Sequence, residues 1–106
     1  MWTSRYAWGI VDGCVDNSGS IDAEDGDVVA VATGACVRDA GWRALAEHSG
    51  ERDRLGWPPH EHILRVVLRR EHWEWVLTQL DRWEPYERDI PYTEARKLIR
   101  SALDSA

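Results

Sequence analysis

The chain has 106 residues, 43% of them hydrophobic and 30% charged, which is enough for one hydrophobic core and too balanced for a fibre or a disordered tail. No apolar run approaches the ~18 residues a membrane span needs, and Met1-Trp2-Thr3-Ser4-Arg5 lacks the layout of a secretory signal. One globular domain over residues 1–106 in the cytoplasm, with no membrane partner, is the expectation. The net charge of −6 is concentrated in one segment, where Asp12, Asp16, Asp22, Glu24, Asp25 and Asp27 have no base among them. From Arg38 onward 13 acids face 12 bases, so no basic footprint exists for a general nucleic-acid binder, while the acidic surface of Asp16, Asp22, Glu24 and Asp25 suits a basic partner or a cation.

Along the chain, Trp2, Ser4, Tyr6, Trp8 and Ile10 alternate with their neighbours and predict a half-buried strand. Asp12-Gly13 predicts a tight turn, Cys14-Val15 a short return strand, and Asp16 to Ser20 a polar loop. Asp27 to Val37 fits either a helical stripe or a strand, with Thr33-Gly34 favouring the strand. Arg38 to His48 predicts a helix with Trp42, Leu45 and Ala46 on its inner side, ending at Ser49-Gly50. Glu51 to Pro59 predicts a loop anchored by Leu55 and Trp57.

Leu64, Val66 and Leu68 alternate with Arg65, Val67 and Arg69 as a strand with one apolar face. A helix from Glu71 to Glu84 follows, its core stripe formed by Trp73, Val76, Leu77, Leu80 and Trp83. One continuous helix from Pro59 to Glu84 is the rival, and the β-branched pair Val66-Val67 favours the strand. Pro85 and Pro91 bracket a loop. Thr93 then caps a last helix with Ala95, Leu98, Ile99, Ala102 and Leu103 inward, and the two final helices form a hairpin. The fold class is α+β, a small mainly antiparallel sheet packed against about three helices, with a mostly helical arrangement as the alternative.

Seven tryptophans stand out in so short a chain. Trp8, Trp42, Trp73 and Trp83 read as core. Trp75 falls on the polar side of its helix near Glu71 and Arg82, and tryptophan with arginine is the pairing enriched at interface hot spots. Trp75, Glu71, Arg82, Arg65 and Arg69 are therefore the candidate partner-binding residues, the partner being another protein or a second copy of this one.

No catalytic constellation is present: there is no Gly-x-Ser-x-Gly elbow, no phosphate-cradling loop and no dinucleotide fingerprint. Cys14 and Cys36 read as small buried hydrophobes. No cofactor is expected. The leading reading is a small non-enzymatic regulator or inhibitor, of the kind phages or defence and immunity pairs encode, that covers a partner's surface. A metal-dependent hydrolase using His60 and His62 is the alternative, since in extended backbone both imidazoles face one side. A weak nucleic-acid binder through Arg65, Arg69 and Arg70 is the second alternative, opposed by nearby Glu61, Glu71 and Glu74.

Overall fold

The computed structural model describes residues 1–86 and 90–105, and within them the chain is mostly helical. In order come β1 (Trp2–Ser4), α1 (Arg5–Glu24), α2 (Val28–Ala46), β2 (Ile63–Arg65), α3 (Arg70–Trp83), a single 3-10 turn (Glu84–Tyr86) and α4 (Tyr92–Asp104).

The N-terminal third departs most from the sequence reading. Ser4 ends β1, and its side-chain oxygen accepts from Ala7 N at 3.1 Å, the geometry of a helix N-cap. Tyr6 to Ile10, expected as strand, thus enter α1, as do Asp12-Gly13, Cys14-Val15 and the supposed loop Asp16 to Ser20. Ala7, Trp8, Val11, Cys14, Val15, Ser18 and Asp22 are buried at helical spacing, so tertiary packing overrides the weak helix propensity of a glycine- and serine-rich run. At its end, Gly26 takes φ +73°. The bonds Asp27 N to Asp22 O (2.8 Å) and Gly26 N to Ala23 O (3.2 Å) close a Schellman stop.

Asp27 caps α2 by accepting from Ala30 N at 3.0 Å, and residues 28–37 are helix rather than strand. The segment expected from Arg38 is the second half of the same helix. Its inner positions are Gly34, Val37, Gly41, Ala44 and Leu45, while Trp42 and Ala46 face outward. Gly41 is the reason: the Trp8 indole lies flat against it, so α1 approaches where a side chain would intrude. The Arg52 guanidinium then donates to the carbonyls of Leu45 (2.9 Å), His48 (2.7 Å) and Gly56 (2.7 Å), closing the end of α2 and the following loop together. Leu55 is exposed in that loop and anchors nothing, whereas Trp57 packs on Trp42 and under Arg5.

β2 pairs with β1, antiparallel, with Trp2 opposite Arg65, Thr3 opposite Leu64 and Ser4 opposite Ile63. Leu64 and Val66 turn into the core, as their alternation predicts. The rival single helix from Pro59 is excluded. α3 buries Trp73, Val76, Leu77 and Leu80, and α4 packs on it as a hairpin, burying Ala95, Ile99 and Leu103. Two expectations for α4 fail: Pro91 rather than Thr93 occupies the cap position, and Leu98 and Ala102 lie outside the buried stripe. Four helices with a two-stranded antiparallel sheet thus match the mostly helical alternative rather than a sheet packed against about three helices. No helix of the described residues is long and apolar enough to cross a membrane.

Candidate functional site

Because Ser4 turns the chain directly from β1 into α1, the first turns of α1 pack against the strand, and α4 lines the same concavity. A groove of about 320 Å³ lies between β1 and α4. Trp8, Val11 and Trp73 form its floor, with the two indoles edge to face at 6.3 Å between centroids. Trp2, Ile63 and Leu98 stand on its rim, exposed to 68%, 53% and 61%. No ionisable side chain lines it among the described residues. Trp2 and Ile63 reach the rim because they sit on the outer face of the sheet, opposite Leu64 and Val66. Sequence reasoning placed Leu98 in the core. The available signal was its position one residue short of the Ala95, Ile99, Leu103 stripe.

The residues singled out from the sequence do not form one surface. Trp75 is only half-buried, yet it does not stand clear of its own chain: its ring edge lies 3.5 Å from where a Cβ on Gly34 would be. Arg82 turns away to α1, where it pairs with Asp22 at 3.0 Å. Glu71 and Arg69 approach each other at 3.7 Å at the start of α3. Arg70 pairs with Glu74 at 3.8 Å and donates to the Leu103 carbonyl at 3.1 Å, so of the basic trio only Arg65 keeps no carboxylate partner among the described residues.

The acidic segment is likewise dispersed by α1. Asp12 is buried and held by Arg38 at 3.0 Å, Asp16 shares that guanidinium at 2.9 Å, and Asp22 is buried rather than on the surface. Glu24 and Asp25 remain exposed at the α1–α2 turn. The side chains of Asp12, Ser18 and Asp22 face inward because each meets a partner there. For Ser18 it is the Trp83 indole, which donates to its hydroxyl at 2.8 Å.

His60 and His62 do not converge. His62 packs edge-on against His48 at 4.2 Å, and His60 lies against Tyr6 at 5.3 Å. Among the described residues no group of three or more histidines, cysteines and acids gathers closely enough to hold a metal. A second groove, about 580 Å³ between α2, β2 and the start of α3, mixes charges, Arg43 being paired with Asp39 at 2.8 Å.

The two cysteines differ. Cys14 is buried, and that burial pushes its thiol up to about 12 against the opposing influence of Arg82, whereas Cys36 is exposed on α2, contrary to the expectation that both are core. A disulfide-exchange thiol reagent at pH 8 is expected to modify one cysteine per native chain and two after unfolding, because burial both hides the Cys14 thiol and suppresses its thiolate while Cys36 is accessible. Equal reaction of both in the native protein contradicts this packing.

Comparison with protein-family models, with curated proteins and with solved structures finds no match to this chain.

Proposed function

We propose that the protein is a small non-enzymatic interaction module, a regulator or inhibitor that covers part of another protein, and that the groove between β1 and α4 holds an apolar segment of that partner. One observation carries the reading. Three large apolar side chains stand exposed around a concave surface that no ionisable side chain lines among the described residues and whose floor includes two tryptophans. Burying each rim side chain is worth about 1.5–3 kcal/mol gross, enough together to offset a substantial part of the cost of association. An apolar surface that is concave and made by five separate elements is the usual setting of a binding site.

A photo-crosslinking amino acid placed at position 98 or 63, with positions 25 and 39 as controls, tests the site in the source cell. Adducts with one protein from 98 and 63, absent from the controls, are expected. Adducts from the controls alone, or none from the groove, contradict the reading.

A further inference from the structure

We infer that the groove takes its partner as an added β-strand on the open edge of β1, an extended segment whose alternate residues are apolar and face the groove. This rests on the interaction reading above and specifies the partner's chemistry.

The main chain supplies the first reason. Val66 N donates to Met1 O at 2.9 Å and Arg5 N to His62 O at 2.7 Å, so within the β1–β2 ladder residues 1, 3 and 5 bond to β2. Trp2 and Ser4 occupy the alternate positions, and in an antiparallel pair the N–H and C=O groups of such residues point away from the neighbouring strand. The N–H and C=O of Trp2 and the N–H of Ser4 therefore point away from β2, along the open edge of the strand that lines the groove, and no hydrogen bond satisfies them among the described residues. A helix or a hydrocarbon laid in the groove leaves these groups to water. Extended backbone pairs with them, which is how strand addition gains affinity.

Side-chain chemistry supplies the second. Along an added strand every other residue faces the uncharged floor, so those residues are apolar.

A displayed library of random dodecapeptides, selected on the full chain immobilised through its C-terminus, provides the probe. Enriched peptides are expected to alternate apolar and polar residues. Methylating alternate backbone amides should weaken binding about three- to tenfold per lost bond. Leu98→Glu, at an exposed position that leaves the core intact, should abolish it. Circular dichroism and melting temperature establish that the variant folds.

Peptides that lose binding with Leu98→Glu but tolerate methylation at every amide, or that space their apolar residues at i and i+4, overturn strand addition and leave the groove reading standing. Failure to recover any peptide sensitive to Leu98→Glu overturns both. A dimer in light scattering that Leu98→Glu dissociates assigns the groove to a second copy and overturns the foreign strand.

Discussion

Replacing Gly41 by Ala is expected to destabilise the protein by about 3 kcal/mol, lowering the melting temperature by roughly 15 °C, although alanine is the better helix former. A Cβ at residue 41 meets Trp8 Cε2 and Nε1 at 2.1 Å and Cζ2 at 2.2 Å, and Trp8 is 1% exposed, so its whole indole must shift to make room. Moving that ring also shifts the floor of the groove. Gly13 and Gly19 provide the control, because a Cβ at either meets nothing within 4 Å. Gly13→Ala and Gly19→Ala should each stabilise α1 by about 0.5–1 kcal/mol. Urea unfolding of the three variants separates the effects, and a neutral Gly41→Ala contradicts the α1–α2 contact described here.

Arg38→Met is expected to cost about 2 kcal/mol in the same measurement. Arg38 leaves α2 to hold Asp12 through Nε at 3.0 Å and Asp16 through Nη1 at 2.9 Å, and methionine keeps the stem while removing both bonds. Asp12 is then left buried without its cation, which is the costly half of breaking such a pair. The effect stays below the 3–5 kcal/mol typical of fully enclosed pairs because the Arg38 side chain is about a third exposed and Asp16 mostly so. Asp16→Asn alone should change stability by less than about 0.5 kcal/mol. Equal losses from Arg38→Met and Asp16→Asn contradict this assignment.

The C-terminal half was legible in the sequence and the N-terminal third was not, for a physical reason that the residues show. Trp73, Val76, Leu77 and Leu80 form an apolar stripe interrupted by charged and polar positions, and Leu64 with Val66 alternate cleanly; period alone identifies both elements. In α1 the inner face includes Asp12, Ser18 and Asp22, whose burial depends on Arg38, Trp83 and Arg82 in distant segments. A polar residue satisfied by a tertiary partner looks, in isolation, like a loop residue. Asp25-Gly26-Asp27 did carry a readable stop-and-cap signal for α1 and α2, since glycine suits a positive φ and aspartate an N-cap.

The groove was illegible for a related reason. Trp2, Ile63 and Leu98 are more than thirty residues apart from one another, and only the antiparallel register of β1 with β2 and the crossing of α4 bring them together. Trp75 drew notice because its helical position opposes Trp73. Gly34, a residue with no side chain to signal its role, lets α2 approach and half-cover that ring.

The partner identified by crosslinking, titrated into the isotope-labelled chain and followed by amide and side-chain chemical shifts, tests the groove most directly. The largest changes should fall on Trp2, Ser4, Ile63, Ala95 and Leu98, with the Trp2 and Ser4 amides newly protected from hydrogen exchange. Changes centred instead on Trp75, Glu71 and the outer face of α2, with β1 unaffected, would place the interaction elsewhere and contradict the groove.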